Sequence, residues 1–496
     1  LTEGERVTVT VIPAIGPDEL TEAEQSLVTR LNNQRSLAEP DILLRDAYYN
    51  GNQLIRDLGI AVPPQMRGLH TVVGWPQVAV DALDERLDVQ GFRFSGGGDS
   101  GDDDLMAIWQ ANNLDEESQL AHLDALIHRA SYVCVGVNDD GSPKVTIESE
   151  KAMSVLYDPW WRQIVAALRV YGGDEHGRNK KATLYLPNET ISLSEPISGG
   201  STWVVEDRDQ HNFGECLVVR LANRQRTSCR EGNSEITTQV MSTTDSACRT
   251  LLGLEVAREF YAAAKLALLG ADESAFVGAD GTAKSVWETY IGRILAIGRD
   301  ENGELPDIKK FEGSDPTPFT KIMAEYRQEM STLTRLPPYM LGETTQNPAS
   351  ADAIRSAENG LIKRAERRQK AFSGGWETVM RLALRVANGG RLPAQADRIE
   401  TIWASAATPT PAATTDSITK QIQVGALPPH SDVALERLGY SVEERKRIAE
   451  DRKLDLTDAW LDQIAAALQT RGIRAVNTLV NTAESSATPP APVVTP

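Results

Sequence analysis

The sequence predicts an α+β protein, and three observations carry that class. Helical periodicity dominates from Thr21 to Ser131, strand-like alternation from Tyr132 to Arg226, and a small β segment lies between two later helices. At 496 residues the chain can bury a sizeable core and hold several subdomains. No apolar run reaches the roughly 18 residues that a membrane-spanning helix needs.

Taken in order, Glu3 to Ile15 alternates like a strand and reads as an arm. Thr21 to Asn50 reads as helices interrupted at Glu39-Pro40, since proline lacks the amide donor that a helix interior uses. A polar segment through Gly59 meets the Pro63-Pro64 stop. Trp75 to Leu87 is an amphipathic helix, followed by the strand-like Gly91-Phe92-Arg93-Phe94 and a glycine and aspartate loop from Ser95 to Asp104. Helices are expected over Leu105–Asn113 and Glu116–Ser131. Strands are expected at Tyr132–Val137, Lys144–Glu148, Ile164–Tyr171, Ala182–Leu186, Trp203–Glu206 and Cys216–Leu221.

Ser234 to Leu269 is helical again, with Gly270 as its stop. Ala271 to Gly313 is a compact insert in which Arg293–Ile297 and Asp307–Phe311 flank Asn302-Gly303, a hairpin signal. A second helix runs from about Pro318 to Thr334. Beyond Gly389-Gly390, Arg398–Trp403 reads as a returning strand and Ala406–Thr415 as a Thr/Pro/Ala linker. Short helices follow at Asp416–Val424, Ser431–Leu438 and Ser441–Lys453, then a helical region from Ala459 to Val480 and a tail of disordered composition from Glu484.

Leu336 to Arg385 is the most informative stretch. Pro337 and Pro338 end the preceding helix, and Gly342 to Ala349 contains no core-forming residue. Ser350 is placed to cap a long helix whose apolar stripe is Ile354, Leu361, Ala365, Phe372, Trp376, Val379 and Ala383. That helix also carries eight bases (Arg355, Lys363, Arg364, Arg367, Arg368, Lys370, Arg381, Arg385) against four acids (Asp352, Glu358, Glu366, Glu377). Its favoured reading is a solvated face with salt bridges to an acidic neighbouring subunit; the alternative turns some bases toward DNA phosphates.

Leu336-Pro337-Pro338 with Leu341-Gly342, then Asn347-Pro348-Ala349-Ser350-Ala351-Asp352-Ala353-Ile354 and the basic helix, resembles the portal proteins of tailed bacteriophages, in the group related to the portal of phage SPP1. The resemblance runs from about Thr21 to about Lys453. It implies an α+β portal fold: N-terminal arm and mixed α/β wing (1–233), stem helices (234–270 and 314–338) and a small β-containing clip (271–313). Tunnel loop (339–350), long wing helix with returning strand (351–405), helical crown (406–483) and tail (484–496) complete it.

The implied function is a dodecameric ring at one vertex of the virion capsid, assembled in the host cytoplasm and threaded by double-stranded DNA without sequence readout. The implied partners are the terminase large subunit, a head-tail adaptor, and the major capsid and scaffolding proteins, with no membrane. Glu343, Thr344, Thr345, Gln346 and Asn347 are expected to line the tunnel. Leu254, Tyr261, Leu268, Ile322 and Tyr326 are expected to pack the stem. Arg293, Asp300, Glu301, Lys309 and Lys310 are expected to dock terminase or adaptor at the clip. No catalytic residue, metal or cofactor is expected.

Composition agrees with that reading. Net charge is 51 − 70 = −19, whereas tight nonspecific DNA binding comes from lysine and arginine neutralising phosphates. The four cysteines, Cys134, Cys216, Cys229 and Cys248, lack Cys-x-x-Cys spacing and read as buried thiols.

The rival chemistries are weak. Gly278 to Ser285 nearly spells a P-loop, but Ala283 stands where glycine must let the backbone wrap a phosphate. Asp99, Asp102, Asp103 and Asp104 lack calcium-loop spacing, and His122 and His128 fall on different helix faces. The segment Asp416–Lys453 has the order of a helix-turn-helix without a polar base-reading face. Two alternatives therefore stand beside the leading reading: another capsid-associated oligomeric protein, and a nucleotide-dependent DNA-processing enzyme.

Overall fold

A computed structural model of the chain describes residues 19–54, 71–95, 102–173, 180–195, 203–261, 265–269, 307–311, 316–343, 351–407, 411–441 and 443–453. In chain order, the first half holds α1 (Glu22–Tyr49), α2 (Trp75–Asp84), β1 (Val89–Phe94), α3 (Asp103–Ala111) and α4 (Leu114–Ile127). Strands β2 (Ala130–Val137), β3 (Pro143–Ser149), β4 (Met153–Asp158) and β5 (Gln163–Gly172) follow. Then come β6 (Lys180–Tyr185), β7 (Thr190–Ser194), β8 (Val204–Asp209) and β9 (Val218–Ala222). The second half holds α5 (Thr238–Tyr261), β10 (Lys265–Leu269), β11 (Asp307–Phe311), α6 (Thr317–Thr334) and α7 (Ala351–Ala387). It ends with β12 (Ile399–Trp403), α8 (Pro411–Gln423) and α9 (Asp432–Arg437), and residues 443–453 are also helical.

The described residues belong to two compact units. The first comprises 1–87, 116–135 and 145–375, and the second 88–115, 136–144 and 376–496. At the heart of the first is an antiparallel sheet in the order β4-β5-β6-β7-β8. Successive side chains point to opposite faces of a strand, so Ala166, Leu168, Ala182, Leu184, Ile191 and Leu193 share one face. Val28 and Leu31 of α1 pack on it. Ala167 and Tyr185 point the other way and meet Tyr132 and Cys134 of β2 and Val218 of β9.

Three sequence expectations change here. The interruption at Pro40 does not occur, and α1 is one helix of 28 residues with Pro40 inside it. Pro40 and Ser36 are both exposed, so water can take the carbonyl that the missing N–H leaves open. Strands β4 and β7 were not expected, although Ile191 and Leu193 alternate with half-buried Thr190 and Ser192. The last part of the expected linker Ala406–Thr415 is instead helical, since α8 begins at Pro411, where a first-turn proline suits a helix.

The second unit is built on β1 paired antiparallel with β12, Phe94 opposite Ile399. Phe92, Trp109 and Trp376 form its aromatic centre, with centroids 5.2 Å and 5.1 Å apart along that series. The Trp109 indole N–H donates to Asp115 Oδ1 at 2.7 Å. Asp102, read as part of an acidic loop, caps α3 by accepting the Leu105 N–H at 3.0 Å.

Candidate functional site

Between α5 and α6 the chain runs out and back. After α5 it continues as β10, which pairs antiparallel with β11, Lys265 opposite Phe311 and Leu269 opposite Asp307. The returning chain enters α6, and the two helices approach closely where Gly253 faces Phe319: a Cβ at Gly253 would stand 3.3 Å from the Phe319 ring. The first helix thus stops at Tyr261 instead of reaching Leu269. Leu268 lies opposite Ile308 in the strand pair.

Leu254 and Tyr326 are half-buried, and Ile322 is 39% exposed. The side chains of Tyr261 and Leu268 lie outside the described residues. Lys309 and Lys310 fall on β11, opposite Ala267 and Leu266. Arg293, Asp300 and Glu301, with the Asn302-Gly303 turn and the P-loop-like Gly278 stretch, also lie outside them.

The end of α6 is over-determined. Arg335 takes a left-handed conformation, φ 60°, and the Ser331 hydroxyl reaches past it to donate to the Leu336 carbonyl at 2.7 Å. Pro337 then admits one 3-10 turn, Pro338–Leu341, closed by Gly342 at φ 83°. Gly360 of α7 lies against the end of α6: a Cβ there would sit 3.4 Å from the Arg335 Cβ. The Tyr339 hydroxyl donates to the Glu358 carboxylate and so ties the 3-10 turn to α7. Glu343 is exposed, and Thr344, Thr345, Gln346 and Asn347 lie outside the described residues.

Further along, α7 makes a contact that the sequence did not disclose. Glu235, in the turn before α5, has a fully buried carboxylate. Arg368 Nε donates to its Oε1 at 2.9 Å and Asn223 Nδ2 to the same oxygen at 3.1 Å. Arg364 pairs with Oε2, and Arg224 stands 3.7 Å from it. Burial pushes this carboxyl up, but Arg364, Arg368 and Arg224 outweigh it and hold the pKa below the usual 4.5. The available signal was Arg364 and Arg368 four residues apart on one helix face, a repulsive pair unless an anion lies between them. These bridges join parts of one chain, where salt bridges to a neighbouring subunit were expected. Next to them, Arg224, Arg226, Arg367 and Arg368 line an open recess of about 460 Å³.

His122 and His128 are packing groups. His122 is fully buried and stacked on Phe372 at 5.1 Å, and burial presses its pKa down to about 3. His128 is buried with Nε2 3.3 Å from Asp46 Oδ1 and 3.5 Å from Asp124 Oδ1. The four cysteines are free thiols, and burial lifts Cys134 to about 12, far from a reactive thiolate.

The sequence pattern of the family described as "Phage portal protein, SPP1 Gp6-like" matches residues 30–453. The portal protein of Mycobacterium phage D29 is 34% identical over 445 residues, covering 88% of both chains. The portal protein of Mycobacterium phage L5 is 34% identical over 420 residues, covering 83% of this chain and 85% of the other. Among solved structures, the neck of a native GTA particle computed with C12 symmetry is similar at 15% identity and a TM-score of 0.42. It covers 77% of this chain and 94% of that one.

Proposed function

The chain belongs to the SPP1 Gp6-like family of phage portal proteins, and from that premise we propose which of its parts do the work. Membership makes it a structural subunit, not an enzyme, of the homo-oligomeric ring at the capsid vertex through which DNA passes. The observation that supports the assignment of parts best is the out-and-back path α5, β10, β11, α6, followed by a short anchored turn and the long α7.

In this reading α5 and α6 are the stem, and residues 271–313 are the clip that docks the terminase large subunit and then a head-tail adaptor. The first unit's sheets form the wing that meets major capsid and scaffolding proteins. The ring has twelve copies and assembles in the host cytoplasm. Glu343 to Asn347 face the DNA. Short polar side chains at a ring constriction stay hydrated, where apolar ones would collapse onto one another. One carboxylate per copy repels phosphate without trapping it.

Lysine at Thr344, Thr345 and Gln346 tests this directly. Rings should form normally while packaging slows, and added salt should relieve the block as phosphate contacts are screened. Normal packaging by intact variant rings would put the proposed tunnel loop outside the DNA path.

A further inference from the structure

We propose that the recess bounded by Arg224, Arg226, Arg367 and Arg368 is a socket between subunits, which receives carboxylate side chains from a second copy of this chain. The proposal rests on the ring reading above. Its first support is a local excess of charge. Arg224, Arg364 and Arg368 share the single carboxylate of Glu235. Arg226 and Arg367 are exposed at the rim, and among the described residues neither meets a carboxylate. Arg364 feels the crowding: burial lowers its pKa and Arg368 and Arg224 lower it further, with Glu235 opposing. An incoming anion relieves that repulsion.

The second support is the nature of the neighbour. In a ring each copy meets an identical chain through two different surfaces, so a basic surface on one must find its complement on the same sequence. That sequence carries 70 acids against 51 lysines and arginines. Guanidinium forks match carboxylates with paired, parallel hydrogen bonds, and complementary charge of this kind sets register as well as affinity.

DNA phosphate has the same charge as a carboxylate, but the geometry disfavours it. A duplex that must slide needs an open track with weak contacts. A recess with several arginines would instead hold phosphate firmly. A side chain projecting from a fixed partner suits such a recess.

The test uses the full-length chain. Arg226→Gln/Arg367→Gln and Arg226→Glu/Arg367→Glu spare the three arginines that hold Glu235, so the melting temperature of the unassembled chain should stay at the wild-type value. The glutamine pair should raise the concentration for half-maximal ring assembly about tenfold, and the glutamate pair further still. A photo-crosslinking residue at position 367 should yield subunit–subunit adducts at an acidic segment in assembled rings. Assembly of both variants at the wild-type concentration would overturn the proposal. So would adducts to DNA alone from intact rings.

Discussion

Arg368 of α7 donates its Nε–H to Glu235 Oε1 at 2.9 Å, although 133 residues separate them in sequence. This bond ties α7 to the turn before α5, where Glu235 lies in a buried cluster with Arg364 and Arg224.

Replacing Glu235 with glutamine should destabilise the chain by about 3–5 kcal/mol, because the clustered guanidiniums lose their counter-ion in a buried site. Chemical denaturation of the unassembled chain checks this. The same cluster sets a pH dependence. The folded pKa of Glu235 is held below 4.5, so its stabilising contribution is complete above the unfolded value and is lost as pH falls through the folded one. Glu235→Gln should therefore lose the part of the acid sensitivity that wild type shows below about pH 4.5.

Asp84 has the opposite sign. Burial, then Asp81 and Glu85, push its pKa from 3.8 up to about 7. The folded state holds a proton that the unfolded state releases, so this group makes stability fall as pH rises across that interval. Asp84→Asn should raise the melting temperature at pH 8 relative to wild type and change it little at pH 3.5. An equal change at both pH values would refute the titration account.

Gly232 stands at φ +104°, and an added Cβ would lie 2.5 Å from the Arg129 carbonyl and 2.8 Å from the Asn223 carbonyl. Both obstacles are backbone and cannot swing aside. Gly232→Ala should cost about 3 kcal/mol or more and disturb Asn223, a partner of Glu235. Equilibrium unfolding reads that loss, and a cost under about 1 kcal/mol would contradict the packing described.

In the proposed stem, Leu254 is only half-buried within its own chain. Leu254→Asp should abolish ring formation while leaving the unassembled chain folded by circular dichroism. Rings at wild-type concentration would remove α5 from the subunit interface.

At the proposed clip, replacing 270–306 by a short glycine linker keeps both strands of the β10–β11 pair. Such rings should assemble and fail to bind terminase or adaptor in pull-down. Retained binding would move docking elsewhere.

Much of this architecture was legible from local signals. Of the expected stripe, Leu361, Ala365, Phe372, Trp376, Val379 and Ala383 are fully buried along α7, because helical spacing placed them on one face, whereas Ile354 near its start is 38% exposed. Leu336-Pro337-Pro338 marked the end of α6. What was not legible depends on distant partners. Pro40 looked like a break because nothing nearby reveals that its side of α1 faces solvent. The stop of α5 at Tyr261 depends on β11, about forty residues further on. Glu235 stood alone in sequence, and its three arginines come from two other segments.

Electron microscopy of the purified chain decides whether it forms a ring. The expected result is closed rings with an open central channel, twelve-fold in projection, with α5 and α6 side by side in every subunit. A population of monomers alone, or oligomers with no central opening, would contradict it.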